Sequence, residues 1–285
     1  MNRYQKVLSA AVLLMAVACG KENPETLLDE MTFAPEVGVP TRVSGSSFEK
    51  DDVIGVFVTQ YQEDGTPSIL EVGGNYMTNA AVTFNGSSWS ASPKIYWDEG
   101  KFDVYAFYPR TSVSSIEAYP FTVAADQSSG DSYEMSDFLW AVSRGITQQS
   151  SVPLVFSHKM SKIIVKLVKG EGYEGDFPSS ATLTIYNTVP TAQVDLSTGD
   201  VVKDPKAAVG PIQARRVSSD TFEAIVVPQM LVNRVPLFEV ICGDVSYLLE
   251  TKFNFRSGVC HTVNLTLTSN PEKVRIDIGG EIVGW

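Results

Sequence analysis

Short runs in which apolar and polar residues alternate make up much of this chain. Residues 102–108 alternate in this way before Pro109, and residues 163–168 do the same. A period of two is typical of β-strands, whose successive side chains point to opposite faces of a sheet. The pattern therefore predicts a chain of many short strands. Further apolar runs of strand length lie at 53–58, 80–84, 182–186, 194–196, 222–227, 237–241, 245–249 and 263–267.

Turn-forming residues separate these runs. Gly, Asn, Asp and Ser cluster at 85–86, 98–100, 197–200, 243–244 and 256–258. Short strands punctuated at this spacing indicate β-sandwiches with hairpin and Greek-key connections. The sequence shows no long amphipathic helix and no βα repeat, so a doubly wound nucleotide-binding sheet is not expected. We predict an all-β protein built from two β-sandwich domains.

A polar stretch at 148–151 is the best candidate for a domain boundary. Many aromatic residues precede it, whereas the second half relies on Val, Ile and Leu. We predict an N-terminal β-sandwich at 48–151 and a C-terminal β-sandwich at 152–285. The stretches 111–136 and 200–219 are predicted to be long polar loops, which are natural places for contacts with partners.

Residues 1–18 have the pattern of a secretory signal. Two basic residues precede an apolar run that ends at Cys19 between small residues, and the run is too short for a permanent membrane span. Cys19 is the predicted lipidation site, because lipoprotein processing requires a cysteine thiol at the point of cleavage. An ordinary signal that happens to contain a cysteine is the alternative. Residues 19–47 would then form a tether and an N-terminal strand segment.

Acidic residues outnumber basic ones, 33 to 22, and give the whole chain a net charge of −11. Loss of Arg3 and Lys6 with the signal would change this charge to −13. Such a surface repels nucleic acid and anionic lipid, so we expect no nucleic acid partner and contact with the membrane only through the lipid anchor. Cys242 and Cys260 lie in apolar runs, where two buried thiols and one disulfide are both open.

No established catalytic or metal-binding motif is found in the sequence. His158 and His261 lie beside strand residues and are predicted to be structural. The patterns CxxC, HExxH and GxSxG and the phosphate-binding loop are all missing from the sequence. The acidic stretch 170–176 lacks the spacing of a calcium loop and is predicted to be a solvated hairpin. We therefore expect no catalytic residues, no metal and no cofactor. A secreted hydrolase with a scattered site is the enzymatic alternative.

The tryptophans of the first half allow two interpretations. Trp89, Trp97 and Trp140 are expected to fill a sandwich core, as aromatic residues in strands usually do. In the alternative, some of them form an exposed platform for sugars, and the chain is a surface glycan-binding lipoprotein.

Several segments, in their order and spacing, resemble those of one known family. They are Cys19, TRV at 41–43, FEKDDVIGVF at 48–57, Trp89, YW at 96–97, FDVYAFYP at 102–109 and VPLVFSHKMSKI at 152–163. In this arrangement the chain resembles the fimbrillin-like family, the subunits of surface fimbriae in anaerobic gut and oral Gram-negative bacteria. The resemblance extends from the signal to Trp285. It implies two β-sandwich domains of transthyretin-like topology.

The resemblance also implies a mode of assembly. Family members are exported as lipoproteins, and an arginine-specific protease then removes an N-terminal strand, which opens a groove for a strand of a neighbouring subunit. Arg42, the first arginine after Cys19, is the predicted processing site, and a solvated loop arginine is the alternative. The released segment would include the strand-like residues 31–33.

The C-terminal stretch is the candidate strand for exchange, and an edge strand of the chain's own sheet is the alternative. Its apolar residues are Val274, Ile276, Ile278, Ile282 and Trp285. The implied partners are other fimbrial subunits and a ligand on a host or bacterial surface. The implied location is the outer membrane and cell surface, in a fimbrium. A stalk, tip or anchor role is left open.

Overall fold

The computed structural model describes residues 29–38 and 47–285, and these residues are almost entirely β-structure. The all-β prediction is confirmed. Two short 3₁₀ helices, Glu134–Ser136 and Pro271–Lys273, are the helical elements of the described residues. The nineteen strands are β1 (Phe33–Val37), β2 (Val53–Gln60), β3 (Met77–Phe84), β4 (Trp89–Ser92), β5 (Phe102–Tyr108), β6 (Tyr119–Thr122), β7 (Leu139–Ile146), β8 (Val152–His158), β9 (Ser161–Lys169), β10 (Thr182–Thr188), β11 (Thr191–Asp195), β12 (Asp200–Lys203), β13 (Gly210–Gln213), β14 (Arg215–Arg216), β15 (Thr221–Val226), β16 (Gln229–Cys242), β17 (Val245–Phe255), β18 (Val259–Leu267) and β19 (Arg275–Val283).

The strands form four sheets. A seven-stranded sheet has the order β1-β8-β7-β5-β2-β3-β4, and a five-stranded sheet has the order β14-β15-β9-β18-β19. A four-stranded sheet (β13-β10-β16-β17) and a three-stranded sheet (β12-β11-β6) complete the described fold. Most paired strands are antiparallel, but β1 runs parallel to β8 and β9 runs parallel to β18.

Strands β2 and β5 lie in the middle of the seven-stranded sheet and are buried on both faces. This explains why apolar residues occupy nearly every position of these strands. One face of the sheet contributes Ile54 and Val104 to a first core. The other face contributes Phe57 and Phe107 to a second, larger core that also holds many side chains from the second half of the chain.

The seven-stranded sheet curls around the first core. Glu30, just before β1, forms a bridge with Tyr96, which lies in the segment that follows β4. The backbone N–H of Met31 donates to the carbonyl oxygen of Ile95 at 2.8 Å. The N-terminal segment, which forms one edge of the sheet, therefore lies against the segment that follows β4 at the other edge.

Each predicted strand run lies within a strand or overruns its end by one residue, but several strands are longer than predicted. The largest differences are at β16 and β17, which have fourteen and eleven residues. The two predicted long loops are wrong in part, since 111–136 contains β6 and 200–219 contains β12, β13 and β14. These strands are only two to four residues long, too short to show clear alternation.

The chain passes from one sheet to another near the predicted domain boundary. Strand β8 begins at Val152 and pairs with β7 in the seven-stranded sheet, whereas β9 lies in the five-stranded sheet. The domain limits 48–151 and 152–285 and the transthyretin-like Greek-key topology stay predictions.

Candidate functional site

The N-terminal described residues lie along the edge of the seven-stranded sheet. Strand β1 pairs in parallel with β8, in a register that sets Phe33 opposite Val152. Hydrogen bonds extend the pairing at both ends, from the N–H of Val152 to the oxygen of Thr32 at 2.8 Å and from the N–H of Gly38 to the oxygen of Phe156 at 2.7 Å. Without β1, this edge of β8 would carry unpaired backbone groups.

Alternate side chains of the segment point into the first core. Met31 and Phe33 are 1% and 6% exposed, while Thr32 and Ala34 face the solvent. Burial of a large apolar side chain contributes roughly 1.5–3 kcal/mol, so this segment stabilises the first core appreciably. Its loss would expose an apolar groove. The apolar residues of β8 and of the segment after β4 that share this core are Val152, Leu154, Phe156, Ile95 and Trp97.

The segment is also held on the side away from β8. The N–H of Trp97 donates to the carbonyl oxygen of Asp29 at 2.9 Å. Lys94 forms an ion pair with Glu30 at 2.7 Å. The start of the segment is therefore flanked by backbone on both sides, and it fills a groove about one strand wide.

Cys19, the predicted lipidation site, and Arg42, the predicted processing site, lie outside the described residues. In the sequence Arg42 falls between β1 and β2. A cut after Arg42 would therefore separate β1 from the rest of the chain.

The C-terminal strand β19 is an edge strand of the five-stranded sheet. It pairs antiparallel with β18 at the end of the five-stranded sheet, from Arg275 opposite Thr266 to Val283 opposite Val259. The register shifts between Thr262 and Val263, which leaves one glycine of the pair at 279–280 as an extra residue.

The predicted exchange residues are only partly covered in this position. Val274, Ile276 and Trp285 are half-buried against the larger core, and Ile282 is half-buried as well. Ile278 is 61% exposed. In the isolated chain β19 is thus an edge strand of its own sheet, as in the alternative interpretation of the sequence. Its transfer to a neighbouring subunit stays a prediction.

Glu281 fastens the end of β19 to the sheet. Its carboxylate lies 3.0 Å from Nδ1 of His261 and forms an ion pair with Arg256. The other ring nitrogen of His261 accepts the backbone N–H of Arg256 at 3.3 Å, so we assign the proton of the neutral ring to Nδ1. Burial lowers the pKa of His261, and the nearby carboxylate of Glu281 opposes this shift.

Both histidines are buried and have side-chain partners, as predicted for structural histidines. Nδ1 of His158 lies 2.7 Å from Oδ2 of Asp137, and its ring stacks on Trp285 with 3.9 Å between the ring centroids. Within residues 29–38 and 47–285, no group of three or more His, Cys, Asp or Glu side chains is arranged to hold a metal ion. Over the same residues, no helix has the length and apolar character that a membrane span requires.

The two cysteines are buried free thiols. Burial raises the pKa of the Cys260 thiol to about 11 and also raises the pKa of Cys242. Thiolate is the reactive form, so neither side chain has the character of a reactive cysteine.

The three tryptophans considered for a sugar platform lie in packed surroundings, as the core interpretation predicts. Trp97 is 3% exposed. The half-buried ring of Trp89 stacks on Phe84 with 5.0 Å between centroids. Trp140 is half-buried, and its Nε1 donates to the carbonyl oxygen of Leu196 at 2.8 Å.

Solved structures of other bacterial proteins share this fold. A Bacteroides ovatus protein described as a cell adhesion protein matches with a TM-score of 0.69 at 22% identity, over 90% of this chain and 97% of that one. A Bacteroides uniformis protein of the same description matches with a TM-score of 0.67 at 18% identity, over 90% and 99% of the two chains. At these identities the likeness establishes the fold alone.

The chain belongs to the fimbrillin-like family, whose sequence model matches residues 41–285. The resemblance found in the sequence is thus confirmed, and the family and fold point to a non-enzymatic structural protein of the fimbrial and cell-adhesion kind. A Bacteroides ovatus protein described as a fimbrium tip subunit, Fim1C, is 26% identical over 199 residues. That match covers 59% of this chain and only 36% of the relative, so the chain spans little more than a third of that protein.

Sequence reasoning identified part of the N-terminal strand. It placed the strand at 31–33, whereas β1 runs from Phe33 to Val37. The missed signal is the apolar series Met31, Phe33, Pro35 and Val37, which occupies every second position. Pro35 obscures it, because proline is compatible with an edge strand but not with a central one.

Proposed function

We propose that this chain is a structural or adhesive subunit of cell-surface fimbriae, exported as a lipoprotein and assembled by strand exchange after N-terminal proteolysis. One observation carries the proposal: a short N-terminal segment fills a one-strand groove in the first core and is joined to the rest of the chain through the stretch that contains Arg42.

Removal of the N-terminal segment would leave a groove that can accept a strand from another chain. The edge of β8 would lose its backbone partner, and the pockets that hold Met31 and Phe33 would be open to water. An unpaired strand edge beside an apolar groove favours the addition of another strand, because main-chain hydrogen bonds and side-chain pockets act together.

The C-terminal strand has a sequence suited to filling such a groove in a neighbouring subunit. Val274, Ile276 and Ile278 occupy alternate positions, as a strand needs in order to fill successive pockets. In its own sheet this strand exposes most of its side chains, so its departure uncovers less apolar surface than the departure of a central strand would. Filling the groove of a neighbour would bury these side chains more completely.

Export as a lipoprotein completes the proposal. Lipid on Cys19 would hold the precursor at the outer membrane, and the cut after Arg42 would release the subunit from its anchor as it opens the groove. The partners are other fimbrial subunits, in a homo- or heteropolymer at the cell surface.

The decisive experiment compares arginine variants after limited arginine-specific proteolysis. We expect wild type to form high-mass ladders on unheated gels and Arg42→Ala to remain a folded monomer, because its groove stays filled. Arg234→Ala is the matched control, since its side chain is 72% exposed and lies far along the chain, on β16. Ladders from Arg42→Ala as strong as those of wild type would disprove the processing site.

A further inference from the structure

A cleft of about 850 Å³ lies between the seven-stranded sheet and the five-stranded sheet. On one side it is lined by the turn before β2 and by the end of β5. On the other side it is lined by residues of β9, β14 and β15 and by Trp285, just beyond β19. Trp89, Trp97 and Trp140 do not line it.

Unpaired polar atoms are concentrated in this cleft. Among the described residues, eight buried side-chain polar atoms have no hydrogen-bond partner, and four of them belong to residues that line the cleft. Buried polar atoms are nearly always paired in native proteins, so such a cluster calls for an explanation. The four atoms are the hydroxyl of Tyr133, Oδ1 of Asp137, Nε of Arg215 and Nε1 of Trp285.

Measured contacts join these residues into one cluster. Asp137 holds His158, and the ring of His158 stacks on Trp285. Nζ of Lys162 lies 5.1 Å from the centre of the Trp285 ring and 6.0 Å from that of Tyr133. The guanidinium of Arg215 lies 3.5 Å from the centre of the same Tyr133 ring. Tyr133 and Asp137 are only 6% and 8% exposed, so the cluster is a built feature of the interior.

The charged side chains of this cluster are already paired, and further charged residues of the lining, such as Lys50 and Asp51, are exposed to solvent. Lys162 lies 3.6 Å from Glu223. Arg215 lies 3.3 Å from Glu223 and also forms an ion pair with Glu134. A simple anion would meet the free oxygen of Asp137, and a simple cation would meet Lys162 and Arg215. Neither kind of ion matches the groups that are left over.

The unpaired atoms are of mixed type: two N–H donors, one carboxylate oxygen and one hydroxyl. A neutral ligand with several hydroxyl groups can satisfy all of them, since each hydroxyl both donates and accepts. The cleft volume lies within the usual range for small-molecule sites. We infer that this cleft binds a neutral saccharide of one or two sugar units, and this inference does not depend on the mode of assembly proposed above.

The test measures sugar binding to the uncleaved full chain by saturation-transfer NMR. The neutral probes are glucose, galactose, N-acetylglucosamine, lactose and cellobiose, and the charged probes are N-acetylneuraminic acid and glucosamine. We expect at least one neutral probe to bind. Trp285→Phe and Tyr133→Phe each delete one of these polar atoms and leave an aromatic ring at the position, and we expect each to weaken that binding about fivefold.

Thermal melting separates a ligand-binding role from a structural one. Tyr133→Phe removes only a weak contact of its hydroxyl with the Glu223 carboxylate, so we expect it to melt close to the wild-type temperature without sugar. Trp285→Phe also shrinks the ring that stacks on His158 and should melt lower. Trp140→Phe is the matched control: it loses the bond to Leu196 and should melt lower, with sugar affinity unchanged. Binding of charged probes alone, no signal from any neutral probe, or wild-type affinity in both cleft variants would overturn the proposal.

Discussion

Glu281 is the residue on which the attachment of the last strand depends most directly. Its carboxylate joins His261, which lies opposite it in the register of β18 and β19, and Arg256, which lies 25 positions away along the chain. Side chains this distant in sequence meet only because the strands pair in this register. The sequence shows each residue but not the contact, and it identified His261 only as structural.

The buried ring of His261 should make stability depend on pH. Its pKa in the folded state is lowered by burial, so the unfolded chain binds a proton more readily, and stability falls as pH drops below the ordinary histidine value of about 6.5. One proton accounts for at most about 1.4 kcal/mol per pH unit. We expect urea unfolding to show a steeper loss of stability between neutral and mildly acidic pH in wild type than in His261→Gln.

The comparison isolates one group, because the two proteins differ only at position 261. His261→Gln keeps a donor for Glu281 and an acceptor for the N–H of Arg256, so it should remain folded at neutral pH. Parallel pH dependences in the two proteins would refute the assignment to His261.

The surroundings of other single residues could not be predicted from the sequence either, because they depend on contacts between distant parts of the chain. Tyr133 and Asp137 follow a stretch of polar residues with no motif, and only the fold brings them beside Arg215. Trp285 was predicted as an apolar plug for a groove. Its indole N–H instead remains unpaired in a cleft, a property that no pattern of apolar positions can indicate.

At the scale of elements, the two ends of the chain form edges of different character. Strand β1 buries alternate side chains, and its segment is flanked on both sides at its start. Strand β19 has one neighbour and exposes most of its side chains. Local opening is easier where less apolar surface is buried, so we expect β19 to leave its sheet more readily than β1 leaves the groove.

A reversible lock on β19 tests its role in exchange. Asn264 on β18 lies directly opposite Asp277 on β19. Antiparallel partners have Cα atoms about 4.5–5.5 Å apart, within the range that a disulfide can bridge. We predict that the double variant Asn264→Cys with Asp277→Cys, oxidised and then cut by the arginine-specific protease, stays monomeric on unheated gels, and that reduction restores the ladder.

A second lock controls for the effect of a disulfide alone. Ile241 and Ser246 face each other in the β16–β17 hairpin, away from both chain ends. The oxidised Ile241→Cys with Ser246→Cys variant should form ladders like wild type. If the β19 lock also left the ladders intact, β19 would not be the exchanged strand.

The apolar pattern was sufficient for strands such as β5 and β9, but the predicted runs did not include β7 and β8, which have eight and seven residues. It was insufficient for β4 and β6, which have only four residues each. It also carries no information on which strands become neighbours. The parallel pairing of β1 with β8 joins segments more than a hundred positions apart, and it was not expected from either segment alone.

At the scale of the whole molecule, the proposed lipid anchor would decide where assembly takes place. We predict that a fatty-acid analogue labels the wild-type protein in growing cells and leaves Cys19→Ala unlabelled, because lipid attachment requires that thiol. Cys260→Ala is the control, since its thiol is buried and should have no part in labelling. Equal labelling of wild type and Cys19→Ala would exclude a lipoprotein.

The position of Trp285, just beyond the end of β19, has a consequence for stoichiometry. If β19 moves to a neighbouring subunit, Trp285 moves with it, and the donor loses one wall of its cleft. In a linear polymer built this way, every subunit but one has given its strand away. The number of complete clefts would then equal the number of filaments, whatever their length.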